Sequence, residues 1–347
     1  MKNLPVNVWK RLTLWEYWNT WVIYLSLAPF WIYYSFKNRN FFFFEFTNPG
    51  IRFGGMAMQS KIDIYRLLPQ ELIPKTIFLT KDVASEFDVY SIDYYPIVAK
   101  PNEGLKGLGV QIIYSPDELA DYLRKYKFDL IIQEKINYKT ELGIFYCRFP
   151  REKDGFITGV TLKKKMALVG DGVSTVREMV MKEYRLRRQI KALEKINSDI
   201  LKRLPEKDEK IEILDIGSHT RGAEFRDVSE KFKDEAFKLI NPFASKIKGF
   251  FYGRFDILCD LDEHSNTFIN FKVIELNGAM SEPIHIYDPK NTLLYAWKEI
   301  LRHWKIMSTI AYQNRNVKLK AVGFANSLML ILKNLQLEKK LKKDLYG

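Results

Sequence analysis

Apolar positions crowd together at the start of the chain before they begin to alternate. From Trp18 to Phe36 there is no charged residue, and Trp, Tyr and Phe dominate. Asn19 and Pro29 interrupt this run, which predicts a helix–turn–helix rather than one continuous helix. Beyond "NFFFFEF" and the Gly/Pro turn "TNPGIRFGG", the pattern changes. "SKIDIYRLLPQELIP" predicts a short helix ended by prolines. "KTIFLT", "YYPIVAKP" and "QIIYS" predict strands, with the Gly-rich loop "NEGLKGLGV" before the third. "SPDELADYLRKY" predicts a helix with Ser115 as N-cap, Pro116 in the first turn and Glu118 completing a capping box. "DLIIQEKI", "ELGIFYCRF" and "FITGVTLKKKMALV" read as further strands. The turn "GDGVST" leads into a long helix predicted over Val176–Arg203, opened by a Thr175/Glu178 capping box. "KDEKIEILDIGS" reads as a strand, and "SEKFKDEAFKLINPFASKIKG" as a helix kinked at Pro242. "FFYGRFDILCDL" and "TFINFKVIELN" predict two adjacent strands joined through "DEHSN". Strands mixed with helices and hairpins predict an α+β chain with several antiparallel pairs.

Composition sharpens this picture. The 347 residues are 47% hydrophobic, enough for a substantial core. The formal net charge of +13 favours anionic partners. No nucleic-acid recognition motif accompanies it, so nucleotide phosphates and an anionic membrane surface are the expected anions. Two cysteines and four scattered histidines argue against a disulfide framework or a Cys/His metal site. The N-terminal run is just long enough to span a bilayer, yet its aromatic richness suits the headgroup interface. The expectation is a monotopic anchor; a full span and an aromatic element of a soluble core are the alternatives. "VKLKAVGFANSLMLILKNLQLEKKLKKDLYG" reads as a basic amphipathic helix, either on a membrane surface or packed on the domain.

Four stretches carry candidate chemistry. Alternation along "KVIELNG" puts Glu275 and Asn277 on one face, and along "GRFDI" it does the same for Arg254 and Asp256. If the strands pair, Asp256, Glu275 and Asn277 converge as a hard-oxygen set suited to Mg²⁺, with Arg254 beside them for a phosphate oxygen. A strand-end salt-bridge cluster is the plain alternative. Lys100 ends a strand, and Gly104, Gly107 and Gly109 follow in a loop able to approach phosphates, though an ordinary turn reads the same way. "LIIQEKI" followed by Glu141 offers backbone groups to an adenine edge and a carboxylate to ribose. Lys163 and Lys165 share a face at the end of another strand.

Taken together and in this order, "AKPNEGLKGLGV", "IIQEKI", Glu141, "LKKK", "GRFDI" and "VIELNG" resemble the ATP-grasp superfamily. The resemblance covers roughly Ser60 to Trp304 and points to the carboxylate–amine ligase branch, which includes D-alanine–D-alanine ligase and cyanophycin synthetase-like enzymes. It implies an ATP-grasp fold, two α/β subdomains clasping ATP, over 54–306. An aromatic membrane-associating segment (1–53) then stands where relatives carry a Rossmann-like domain, and a basic helix (307–347) follows.

By the same resemblance, Lys61, Lys100 and Lys163 (with Lys165 as rival) would contact ATP phosphates, and Gly104, Gly107 and Gly109 would form the lid. Glu134, Lys135 and Ile136 would line the adenine pocket and Glu141 would hold the ribose. Asp256, Glu275 and Asn277 would bind Mg²⁺, two ions in all, with Mn²⁺ also suited. Arg254 would stabilise an acyl-phosphate, Arg221 would meet a carboxylate or phosphate, and Ser281, Glu282 and His285 would contact substrate. The implied reaction joins a carboxylate and an amine, with a lipid-linked substrate expected at the cytoplasmic face of a membrane. A phosphotransferase acting on a lipid or sugar hydroxyl and a non-catalytic ATP-binding scaffold are the rival readings.

Overall fold

The computed structural model describes residues 15, 18–104, 107–164, 166–187, 190, 193–194, 198–212, 223–262, 265–315 and 322–346. In chain order, α1 (Thr20–Leu25) and α2 (Ala28–Asn38) lead to single 3-10 turns at Phe43–Phe46 and Arg52–Gly55, and then to α3 (Lys61–Tyr65). Next come β1 (Thr76–Leu79), β2 (Ile97–Pro101), β3 (Gln111–Ile113), α4 (Pro116–Lys125), β4 (Leu130–Glu134), β5 (Thr140–Cys147), β6 (Phe156–Lys164) and β7 (Ala167–Val169). Short helices α5 (Val176–Lys182), α6 (Tyr184–Arg187) and α7 (Ser198–Lys202) follow, then β8 (Lys210–Glu212) and β9 (Glu224–Asp227). The chain closes with α8 (Ser229–Ala244), β10 (Tyr252–Asp262), β11 (Thr267–Asn277), α9 (Leu293–Asn314) and α10 (Phe324–Tyr346). Position 306 lies inside α9, which continues through it unbroken.

The chain divides into two compact units. The first comprises 1–77, 133–162 and 226–335. Its centre is a sheet in the order β11-β10-β5-β6-β9, with antiparallel pairing from β11 through β6. Alternation sends Tyr146 and Phe255 to one face, where α8 buries Phe232, Ala236 and Ile240 and Phe243 stands edge-on to Phe255. Pro242 falls in the last turn of α8, where it removes the helical donor to the Lys238 carbonyl. On the other face, Phe145 and Cys147 meet Ile306, Met307 and Ile310 of α9 together with Phe42, Phe43 and Phe44. Much of the "FFFF" run is therefore core: Phe43 is fully buried, while Phe41 is half exposed.

The N-terminal stretch does form two helices around a turn at Ser26–Leu27, with Pro29 in the first turn of α2. Their inner positions, Ile23, Leu27 and Trp31, pack inward; Trp31 stands 4.6 Å from Phe43 and 5.0 Å from Trp304, ring to ring. Among the described residues no helix is long and apolar enough to cross a membrane.

The second unit comprises 78–132, 163–225 and 336–347. A sheet in the order β1-β4-β2-β3 carries α4, which buries Leu119, Tyr122 and Leu123 at helical spacing. Ser115 caps α4 by accepting from the Glu118 N–H, but Glu118 accepts from the Tyr114 N–H, so the expected reciprocal box is displaced by one residue. The Thr175/Glu178 box is complete. The long helix predicted from Val176 to Arg203 is instead broken, with Glu183 in extended conformation after α5. A straight helix of that length would reach about 42 Å. The two-stranded β7–β8 sheet below it has three-residue strands, and folding back brings Val176, Val180, Leu186 and Leu201 into one small cluster with Leu168 and Ile211.

One buried amide ties the first unit together. Asn48 donates to the carbonyls of Gly54 (3.0 Å) and Tyr252 (2.8 Å) and accepts from the N–H groups of Phe251 and Tyr252 (both 2.9 Å). Its hydrogen-bonding capacity is thereby filled. Asn48→Ala would leave these backbone groups unpaired away from water, at about 1–3 kcal/mol each. A loss of at least about 3 kcal/mol is expected in urea unfolding; a change below 1 kcal/mol would show that the tie is dispensable.

His303 sits beneath the same sheet, its Nδ1 3.1 Å from the Tyr252 hydroxyl. Burial, and then the neighbouring His285 and Arg302, push its pKa well below the ordinary 6.5, against an opposing pull from Glu299. The folded state therefore holds His303 neutral, whereas the unfolded chain protonates it below about pH 6.5. Its contribution is complete above that pH and declines as pH falls toward the folded-state value, by up to about 1.4 kcal/mol per unit. Urea midpoints should fall between pH 6.5 and 5 and flatten in His303→Phe; an equally steep fall in the variant would assign the effect elsewhere.

Candidate functional site

The β10–β11 hairpin pairs Asp256 with Glu275 and Arg254 with Asn277. The four side chains expected to converge are thus cross-strand neighbours at one end of one ladder. A register shift just past Asp256, before Ile257 pairs with Val273, marks the end of this regular segment. On the other flank β5 places Gly143 opposite Asp256. A Cβ at Gly143 would lie 2.8 Å from Ile284 Cδ1 and 3.2 Å from Arg254 Cδ, so only glycine leaves room for the arginine. Glu141, two residues earlier on β5, shares this face.

Arg254 grips Asp256 with two bonds, Nε to Oδ1 at 2.7 Å and Nη2 to Oδ2 at 3.0 Å. Its Nη1 reaches the Glu282 carbonyl at 3.4 Å, and Asn277 Nδ2 approaches Asp256 Oδ2 at 3.5 Å. Asp256 is 1% exposed, so its charge is sustained by this fork rather than by water. Burial works against the Arg254 charge, but Asp256, Glu275 and Glu282 outweigh it and raise its pKa further. Three carboxylates around one guanidinium create a setting that stabilises further positive charge.

A segment that the sequence reading treated as a plain turn holds this strand end in place. Gly54 and Gly55 lie against Gly278, where a Cβ on Gly55 would come within 2.7 Å of Gly278 Cα. Their carbonyls accept from the N–H groups of Ala279 (2.9 Å) and Met280 (3.2 Å). Gln59 donates to the Leu276 carbonyl at 2.5 Å and accepts from the Gly278 N–H at 3.3 Å. The Tyr65 hydroxyl donates to the Ile274 carbonyl at 2.6 Å, and burial, then Glu275, raises its pKa. Residues 48–65 therefore strap both sides of Glu275 and Asn277. The available signal was two glycine-rich stretches, "RFGG" and "LNGA", each needing a close backbone neighbour.

The remaining candidates occupy defined places. Lys61 opens α3 directly after its N-cap, Ser60. Lys100 is buried on β2, and Gly107 and Gly109 both take positive φ, with the Gly109 carbonyl held by the Tyr122 hydroxyl at 2.6 Å. Gly104 lies beside Leu341 of α10. Glu134 ends β4 and exchanges bonds with the Lys75 backbone, Lys135 contacts Asn137 at 2.9 Å, and Ile136 is half-buried. Lys163 is buried near the end of β6, on the strand face of Thr161, which pairs with Gly143. Arg221 and Lys165 lie outside the described residues.

Of the three residues expected to contact substrate, two are taken up by the protein itself. Ser281 donates to the Asn277 carbonyl at 2.6 Å, and His285 is buried with Nε2 3.4 Å from Glu299. Glu299, with His285 and Arg302 bonded to it against the cost of burial, has its pKa lowered to about 2. Glu282 is only half-buried and accepts from the Tyr287 hydroxyl at 3.3 Å. Tyr24 of α1 also bonds it, and burial, then Glu282, raises the Tyr24 pKa.

The residues fit Mg²⁺ in kind: two carboxylates and an amide on adjacent strands are hard oxygen donors. Among the described residues no three His, Cys, Asp or Glu side chains are arranged to hold a metal, and Asn277 would have to serve as the third donor. Both Asp256 oxygens already carry an Arg254 bond, and Oδ2 is approached by Asn277 as well, so an ion at this carboxylate would compete with those contacts.

No protein-family model matches the chain, and no curated protein matches it. Solved structures similar to it include a D-alanine–D-alanine ligase from Bacillus anthracis, at 16% identity and a TM-score of 0.38 over 84% of this chain and 72% of that one. The VanG D-Ala:D-Ser ligase from Enterococcus faecalis is 13% identical, with a TM-score of 0.40 over 73% of this chain and 64% of that one. A bifunctional glutathione synthetase from Pasteurella multocida is 17% identical, with a TM-score of 0.35 over 70% of this chain; the chain spans 35% of that protein's length.

Proposed function

We propose that the protein is an ATP- and Mg²⁺-dependent carboxylate–amine ligase that forms an amide through an acyl-phosphate, with a lipid-linked acid or amine as one substrate. The observation that carries this reading is the hairpin register, which sets Arg254, Asp256, Glu275 and Asn277 side by side on paired strands. The ordered upstream residues that resemble ATP-grasp ligases, from Lys100 to Lys163, supply the other parts such a reaction needs.

In this reading a substrate carboxylate oxygen attacks the γ-phosphorus of ATP, and the bond to the bridging oxygen of ADP breaks. The amine nitrogen then attacks the acyl carbon, the acyl C–O bond breaks, and phosphate departs while the nitrogen loses a proton. Phosphoryl transfer of this kind asks for positioning and charge neutralisation more than for covalent help. Arg254, oriented by its two bonds to Asp256, would offer its remaining N–H groups to the charge that develops on the transferring group. Mg²⁺, held by Asp256, Glu275 and Asn277, would neutralise phosphate oxygens. Lys61, Lys100 and Lys163 would bind phosphates, Gly104, Gly107 and Gly109 would cover them, and Glu134, Lys135, Ile136 and Glu141 would seat the nucleoside. Glu282, framed by Tyr24 and Tyr287, would meet the acceptor substrate.

The test incubates the protein with Mg-ATP, a lipid extract and an amino-acid pool, and reads product mass together with the nucleotide released. ADP formed only with acid and amine both present, and a product heavier by their condensation, is the expected result. Glu275→Gln and Asn277→Ala should lower turnover by roughly 10²–10³-fold. Phosphate carried onto a hydroxyl without need for amine would make the protein a phosphotransferase instead, and unchanged turnover in both variants would remove the metal assignment.

A further inference from the structure

The first unit carries apolar side chains on the outside as well as in its core. On α1 and α2, Trp21, Leu25, Tyr33 and Phe36 point away from the protein, with Phe36 79% exposed. The first half of α10 repeats the arrangement. Its inner residues Leu330 and Ile331 pack on the cluster that also receives Trp31 and Tyr34 of α2, while Leu328 and Leu332 are left nearly half exposed. A solvated surface helix would place polar residues there. The two faces adjoin, for the Phe324 ring lies 6.3 Å from Phe41 and 5.2 Å from Phe42.

Both helical segments are fixed in position. The Trp297 indole donates to the Ile23 carbonyl at 3.2 Å, Asn38 to Ser308 Oγ at 2.7 Å, and Asn334 accepts from the Met58 N–H at 3.1 Å. The exposed face is thus a built part of the unit rather than a tail beside it. A contiguous patch of this kind marks an interaction surface.

Charge selects the occupant. Between Asn19 and Phe41 the only ionisable charges are Lys37 and Arg39, and between Val322 and Leu335 the only one is Lys333; neither stretch contains a carboxylate. A second copy of the chain docked face to face would bring these cations together without a counter-charge. An anionic bilayer supplies both the phosphates for the cations and the interfacial layer in which Trp and Tyr rings are favoured. Since none of the described helices can cross a membrane, the face would lie in the headgroup layer.

We propose that α1, α2 and the first half of α10 form one platform that seats the protein in the interface of an anionic bilayer. The short helix α1 links this platform to the candidate site: Trp21 and Leu25 face outward, while Tyr24, between them, bonds Glu282 beside Arg254. A shallow groove on the outer side is lined by Asn19, Trp21, Val22, Leu25 and Ser26. This link gives the lipid-linked substrate a route, and that part rests on the ligase reading; the platform itself does not.

The experiment uses the full chain without ATP and measures co-sedimentation with vesicles of phosphatidylglycerol or of phosphatidylcholine. Binding to phosphatidylglycerol is expected, at least tenfold weaker on phosphatidylcholine and weakened by salt. Trp21→Ser with Phe36→Ser, and separately Leu328→Ser with Leu332→Ser, should each lower it at least fivefold while circular dichroism stays unchanged. Lys37→Gln with Arg39→Gln and Lys333→Gln should abolish the preference for the anionic lipid. If the protein ignores both vesicles, or if light scattering shows a dimer that the Ser variants dissociate while vesicle binding persists, the proposal is overturned. Mg²⁺-dependent binding of ATP in solution would be unaffected by either result, so the two readings fail separately.

Discussion

A carboxylate removed from water needs a partner, and in this protein the partner of Asp256 organises the candidate site. Leaving an ionised Asp unpaired at 1% exposure would cost several kcal/mol. Arg254, two residues earlier on the same strand, meets it with a planar two-bond fork. That geometry requires a glycine on the next strand, which Gly143 supplies, and a fixed register on the other side, which brings Glu275 and Asn277 alongside. The strap of residues 48–65 then holds the far end of β11 by its backbone, through Gly54, Gly55, Gln59 and Tyr65. Local electrostatics and long-range topology thus point to the same few residues.

How far the sequence revealed this depended on the range of the interactions. Strand alternation is a local rule, so the shared faces of Glu275 with Asn277 and of Arg254 with Asp256 were legible, and the hairpin between them followed from the short polar loop. The Thr175/Glu178 cap was legible for the same reason. The strap was not, because its partners lie more than two hundred residues away and its glycines also read as an ordinary turn. The broken helix after Lys182 was missed because periodicity does not report the size of the surface beneath it. Ser281 and His285 looked like substrate contacts by position alone; only the fold shows Ser281 closing on the Asn277 carbonyl and His285 buried next to Glu299.

The N-terminal aromatic residues divide between two tasks that hydropathy alone merges. Phe42, Phe43 and Phe44 are core against β5 and α9, and Trp31 joins them. Tyr24 reaches the carboxylate of Glu282, itself beside Arg254, while Trp21 and Leu25 on the same helix face outward. A segment that reads as a detachable anchor is therefore built into the unit that carries Asp256. Removing it would expose core and disturb the surroundings of Glu282 together.

The claim on which the account turns is that the Asp256–Glu275–Asn277 face receives ATP through a divalent cation. Calorimetric titration of ATP into the full chain, with and without Mg²⁺, tests it most directly. The account predicts binding that depends on Mg²⁺ and is lost in Glu275→Gln while unfolding behaviour is retained. ATP binding of equal strength without the ion, and unaltered by that substitution, would contradict it.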